Sequence, residues 1–226
     1  MREQAAAGSA DPSEAELVAG AKRKDEAAIR AIIRRHNRAL FRLARSLLPD
    51  DEAEEALQES YLRAFAGIAE FRGEASLRTW LRRIVVNEAL GRIRRRRPTV
   101  DLEMLDHAIP TAIVAFPLSP PPADPERIMA QDQIRLLLEQ AIDELPLAFR
   151  TIAVARLVER MSVEETAELF DLKPETVKTR LFRARRLLRA ALEKRLGPAL
   201  CETFPFDGAR CENMADRVVK RLCSGR

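Results

Sequence analysis

Proline decides how this chain can fold. Seven of its 13 prolines fall between Pro98 and Pro125, in PTVDLEMLDHAIPTAIVAFPLSPPPADP. A proline inside a helix removes a backbone donor and clashes with the preceding turn, and Pro120-Pro121-Pro122 favours an extended polyproline stretch. No helical period survives there, whereas apolar residues recur at helical spacing on both sides. Two helical modules are therefore expected, joined over 98–125 by a flexible Pro-rich linker. The run Ile113–Phe116 is apolar for a solvated linker and is expected to dock on something.

Outside that stretch Ala, Leu, Arg and Glu dominate, Gly numbers only 8 and aromatics make up 5%. That composition favours an all-α fold over an all-β one. The first module (1–97) opens with a capping box, Ser13 and Glu16. A long helix follows over about Asp25–Leu48, with Ile29, Ile32, Ile33, Leu40, Leu43 and Leu47 in phase and Pro49 as its stop. Then come DDEAEEALQESYLRAF, a break at AEFRGEAS, and a helix over about Leu77–Arg96. These predict an N-terminal helical bundle.

The second module (126–196) is expected to be a four-helix domain ending in a helix-turn-helix. One helix carries Ile134, Leu137, Leu138 and Ala141; Pro146 opens another with Phe149, Ile152, Leu157 and Val158. In SVEETAELFDLKPETVKTRLFRARRLL, Ser162 and Glu165 form a second capping box, Asp171–Lys173 the turn, and Pro174 the start of the last helix. An extension (197–226) ends in a short amphipathic helix over about Ala209–Leu222.

The N-terminal segment lacks the apolar core of a signal peptide, and no apolar run approaches a membrane span. All three cysteines (Cys201, Cys211, Cys223) lie in the last 26 residues, an odd count unlike a disulfide-stapled secreted domain. A cytoplasmic protein is expected. No metal cluster, nucleophile–base pair or phosphate-cradling Gly loop points to catalysis or to a cofactor.

The net charge of +4 conceals a sharp segregation. Arg72–Arg97 holds nine Arg against two Glu, and Lys173–Arg195 nine Lys/Arg against two Glu, so each is +7 and the rest of the chain is −10. Asp50–Tyr61 carries six acids and no base; Glu159–Asp171 carries five acids and one Arg. Ion-paired, solvated helix faces would explain one such stripe. The same acidic-then-basic design in both modules suits a polyanion touched at two places.

In a helix-turn-helix the second helix enters the major groove and its N-terminal residues meet base edges. Thr176, Lys178, Thr179, Arg180 and Arg183 are the candidates for base contact. Lys173, Arg185, Arg186 and Arg189 are better placed for phosphates, and Val177, Leu181 and Leu188 for the core. In the first module, a loop with Arg72, Gly73 and Glu74 leads into a helix bearing Arg83, Asn87 and Arg94. A basic track with a pocket for a splayed base suits single-stranded nucleic acid. Trp80 lies on the apolar stripe and is expected in the core rather than as a stacking platform.

In this order the motifs resemble those of the extracytoplasmic-function sigma factors of bacterial RNA polymerase, within the sigma-70 superfamily. DDEAEEALQESYLRAF is similar to the helix that grips the β′ coiled coil of the polymerase, through Asp51, Glu54, Glu55, Gln58 and Glu59. FRGEASLRTWLRRIVVNEAL resembles the segment that melts the −10 element and captures its non-template strand. There the resemblance places the flipped base against Glu70–Ser76 and the strand near Asn87. The helix-turn-helix resembles the −35-reading domain. The resemblance further implies core polymerase (β′ coiled coil and β flap), promoter DNA and an anti-sigma factor as partners, a stress-response regulon, and a linker threading toward the RNA exit path. Gly91 departs from the acidic residue frequent at that position in the family.

Two other readings account for less. A plain repressor leaves the first module without a purpose, and a decoy for an anti-sigma protein has no reason to keep a basic recognition helix. The extension lies outside the two-domain pattern. Its cysteines are too widely spaced for a typical zinc site; a thiol near Arg210 or Arg221 is open to a redox role. An appendage that packs Phe204, Phe206 and Val218 on the second module, and so tunes the DNA-binding helix, is the reading preferred.

Overall fold

The computed structural model describes residues 12–96, 125–201 and 208–223; the proposed linker except Pro125, which begins a helix, lies outside them, as do Phe204 and Phe206. Among the described residues all regular structure is helical. The first group comprises α1 (Glu14–Lys22), α2 (Glu26–Leu47), α3 (Asp50–Ala66), a 3₁₀ turn (Ile68–Glu70) and α4 (Leu77–Arg96). The second comprises α5 (Pro125–Asp143), α6 (Leu147–Ala153) with a π-helical continuation (Val154–Val158), α7 (Val163–Phe170) and α8 (Pro174–Cys201). Helix α9 spans Gly208–Cys223. No helix among the described residues is long and apolar enough to cross a membrane.

Local chemistry sets the ends of these helices. Ser13 and Glu16 close a capping box at the start of α1, and Ser162 and Glu165 do the same for α7, each satisfying two amides that a helix leaves unpaired. Asp25 caps α2 by accepting from the Ala27 amide at 2.9 Å. Asp171 ends α7 in the left-handed conformation, φ 52°, which Asp tolerates. Gly20 lets α1 and α2 approach closely, because a Cβ there would stand 2.5 Å from that of Ala28.

The first core forms where α2 presents Ile32, Leu40 and Leu43 to Leu77, Leu81, Val85 and Val86 of α4, all essentially inaccessible. Each such side chain contributes about 1.5–3 kcal/mol by leaving water. In the second group the structure departs from the expected stripes. Ile134 and Leu138 of α5 stand exposed while Ala141 is buried. Leu157 and Val158 also face solvent, because the π turn bonds residues five apart and rotates them off the face set by Phe149 and Ile152. Helix α8 runs through Gly197-Pro198 to Cys201 rather than stopping at Leu196. Pro198 has no N–H, so this last turn lacks the backbone bond to the carbonyl four residues earlier.

The two groups do not stand apart as independent modules. Helix α6 packs on α2 and α7 on α4, and one continuous apolar core runs from Leu17 to Leu181. Polar bonds stitch the seam. Arg150, itself buried, donates through Nε to the Ser46 carbonyl at 3.0 Å, an acceptor in the last turn of α2 that has no partner within the helix. Arg45 donates to both oxygens of Asp143, and Arg42 to Glu159 at 2.6 Å.

Candidate nucleic-acid interface

The helix-turn-helix places its second helix with one face inward. Val177, Leu181 and Ala184 are buried, while Glu175, Lys178, Thr179, Phe182 and Arg183 are exposed. Lys173, in the turn, is exposed and Thr176 is half-buried. The Thr179 hydroxyl donates to the Glu175 carbonyl at 2.9 Å, which turns its methyl and oxygen to one fixed side.

Arg180 is not on this face. It is only 5% exposed, so the structure removes it from the residues able to reach a base edge. The reason is phase: Arg180 follows Val177 by three residues and precedes Ala184 by four, on the inward stripe. Phe182 was missed instead. It stands 70% exposed between Thr179 and Arg183, where a large apolar ring is the least expected residue. The gap in the Val177–Leu181–Ala184 period was the available signal.

On α4, Arg83, Asn87 and Arg94 share an exposed face at spacings of four and seven. A Cβ on Gly91 would meet nothing closer than the Arg95 guanidinium at 4.0 Å, so this part of the face is open. The preceding loop is held at both ends. Lys22 donates to the Phe71 carbonyl at 2.9 Å, and the Leu77 amide to Glu14 at 2.8 Å. Ser76 accepts from the Thr79 amide and so caps α4. Between these anchors Arg72, Gly73 and Glu74 are exposed, with Gly73 at φ 76°, where a side chain is strained. Trp80 packs beneath the loop against Phe71, ring centres 5.2 Å apart, as a half-buried support.

The acids of α3 divide between two directions. Glu52 bonds Arg96, Glu55 bonds Arg92 and Glu59 bonds Arg63. Beside them the buried Glu88 meets Arg63, Arg92 and Arg95. Burial alone would push the Glu88 carboxyl up. The hydrogen bond from Arg92 and the charges of Arg63, Arg92 and Arg95 outweigh it and hold the carboxyl below its usual value. Outward, Asp51, Glu54 and Gln58 are exposed, and Leu62 is 62% exposed on the same stripe. Helix α3 thus joins a salt-bridged inner edge to an acidic outer face with one apolar residue.

Helix α9 exposes Met214, Val218 and Val219, so the expected packing of Val218 on the second group is not realised. Among the described residues no group of three or more His, Cys, Asp or Glu is arranged to hold a metal ion.

Sequence and structure comparisons bear on both faces. Residues 32–99 match the model for Sigma-70 region 2, and residues 135–188 that for Sigma-70, region 4. The chain is 34% identical to the ECF RNA polymerase sigma factor SigM of Mycobacterium tuberculosis, over 80% of this chain and 85% of that one. To the RNA polymerase sigma-H factor of Pseudomonas aeruginosa it is 31% identical, over 83% of this chain and 95% of that one. Among solved structures, its fold is similar to that of the sigma factor RpoE from Bartonella quintana in complex with the anti-sigma factor NepR. There the TM-score is 0.51 and the identity 24%, over 69% of this chain and 90% of that one. With both regions matched in order and full-length relatives above 30% identity, the chain belongs to the extracytoplasmic-function sigma factors of the sigma-70 family.

Proposed function

We propose that this sigma factor delivers core RNA polymerase to promoters by dividing recognition between its two basic helices. The chain itself carries no catalytic step; synthesis belongs to the polymerase. The observation that carries this reading is the pair of exposed basic faces, Lys178–Thr179–Phe182–Arg183 on α8 and Arg83–Asn87–Arg94 on α4. The α8 face suits the major groove of the −35 element, with Lys and Arg donating to guanine and Phe182 meeting a thymine methyl. Lys173, Arg185, Arg186 and Arg189 set its register on phosphates.

The α4 face with Arg72, Gly73 and Glu74 suits the −10 element once it is single-stranded. The loop receives a flipped base and Asn87 lies along the strand. The outer face of α3 (Asp51, Glu54, Glu55, Gln58, Glu59) suits the basic β′ coiled coil of the polymerase, and the β flap suits the second domain. By this division residues 1–97 form the core-binding and −10 domain, 98–125 the linker and 126–196 the −35 domain. The protein works in the cytoplasm, on a stress-response regulon and under an anti-sigma factor.

Reconstitution with core polymerase tests the proposal. The holoenzyme should initiate at a defined set of promoters sharing both boxes, mapped from transcript starts after overexpression. Normal co-purification of Glu54→Lys with core polymerase would remove the role given to α3.

A further inference from the structure

Helix α9 is exposed, and the chain carries a surface that matches it in charge and polarity. Met214, Arg217, Val218 and Arg221 follow at steps of three, one and three, so they share one helix face, and all four stand in solvent. That face sets two apolar side chains beside two cations. Arg217 donates through Nε to the Asn213 carbonyl of its own helix at 3.0 Å, and Asp216 lies on the opposite side. The outer face of α3 is the complement: Asp51, Glu54, Gln58 and Leu62 are exposed at steps of three, four and four. The other charged faces suit α9 less. Those of α8 and α4 are basic, and on α7 Glu168 is already paired with Arg83.

We propose that α9 docks on the outer face of α3 of the same chain, so that the C-terminal extension and core polymerase compete for α3. The inference rests on the proposed role of α3 in polymerase binding. Laid antiparallel, Met214 comes opposite Leu62, Val218 opposite Gln58, and Arg221 opposite Glu54 and Glu55. Apolar contact is thus flanked by opposite charges, which fixes the register. The connection has the reach. Arg195 of α8 donates to Glu144 at 3.0 Å; the neighbouring Asp143 is held by Arg45, which also pairs with Asp50 at the start of α3. The last turns of α8 therefore lie toward the beginning of α3. The seven peptide units from Cys201 to Gly208 span at most about 25 Å. That is the length of the 17-residue α3 at about 1.5 Å per residue, so α9 can begin at its far end and run back along it. A tethered helix competes through its high effective concentration. Its exposed ion pairs are individually weak, so the polymerase displaces it.

The test uses the full chain. With Met214 replaced by photoreactive p-benzoylphenylalanine, ultraviolet light should join α9 to the α3 peptide within one chain, read by mass spectrometry of the monomeric product. Arg217→Gln with Arg221→Gln should abolish most of that cross-link. In fluorescence titrations the same double substitution should tighten binding to core polymerase roughly fivefold. Lys220→Gln removes a charge on α9 away from this face and should change neither readout. All these positions are exposed, and unchanged melting curves confirm the fold. A cross-link to another helix or between two chains, or unchanged affinity of the double variant for core polymerase, overturns the inference. Failure of the role given to α3 shows differently: Glu54→Lys then binds core polymerase normally, while the cross-link from α9 to α3 still forms in the chain with Glu54.

Discussion

Arg45 of α2 and Asp143 of α5 meet across the domain seam through two near-parallel hydrogen bonds of 2.6 and 2.7 Å. The planar guanidinium matches the carboxylate fork, a geometry stronger and more selective than a single contact. Arg45 also pairs with Asp50, so it ties the α2–α3 corner to the second domain. Asp143→Ala should lower stability by about 1–2 kcal/mol, less than for a fully enclosed pair because Arg45 keeps Asp50 and some solvent. Urea melts of the two proteins measure it; coincident midpoints would mean that the seam contributes nothing at this point.

Arg180 and Phe182 should respond to substitution in opposite ways. Arg180→Ala removes a buried side chain and should cost roughly 1–3 kcal/mol of stability without changing −35 preference. Phe182→Ala, at an exposed site, should leave stability within about 0.5 kcal/mol. It should weaken −35 binding by about 1 kcal/mol and relax selection at one base pair. Melting curves and a binding selection with holoenzyme separate the two effects. A loss of −35 preference in Arg180→Ala at unchanged stability would reverse the assignment.

The contrast between these neighbours shows what could be read from the chain. Capping boxes at Ser13 and Ser162, the stop at Pro49, the turn at Asp171 and the shared face of Arg83, Asn87 and Arg94 all follow from local spacing, and all are realised. Arg180 was misplaced because residue type was given more weight than phase. The seam had no linear signal at all: Glu159 meets Arg82 and Arg42 across 77 and 117 residues. Only the packing of α6 on α2 and α7 on α4 brings those charges together.

Gly73 should set the shape of the −10 loop. It holds φ at 76° with open space around its missing Cβ, so a substitution meets backbone strain rather than a clash. Gly73→Ala should cost about 1 kcal/mol, and Gly73→Asn less, because Asn tolerates the left-handed region. The functional readout is open-complex formation by holoenzyme on a premelted and on a duplex promoter. Asn should retain more activity than Ala on both; equal activity of all three proteins would show that the loop conformation is not used.

Glu88 should give the first domain an acid-sensitive edge. Its carboxyl is held below the usual value by Arg92, Arg63 and Arg95 despite burial, so the folded state binds its proton less readily than the unfolded chain. The stability it contributes is therefore fully present above about pH 4.3, the ordinary glutamate value. That contribution is lost as pH falls from there through the lower folded value. Glu88→Gln should be destabilised at neutral pH by about 2 kcal/mol, since Arg63 and Arg92 keep Glu59 and Glu55 as partners. Urea midpoints of both proteins from pH 7 down to pH 3 should converge toward the acid end. A gap that stays constant over that range would mean the lost packing of the carboxyl, and not its charge among three arginines, accounts for the difference.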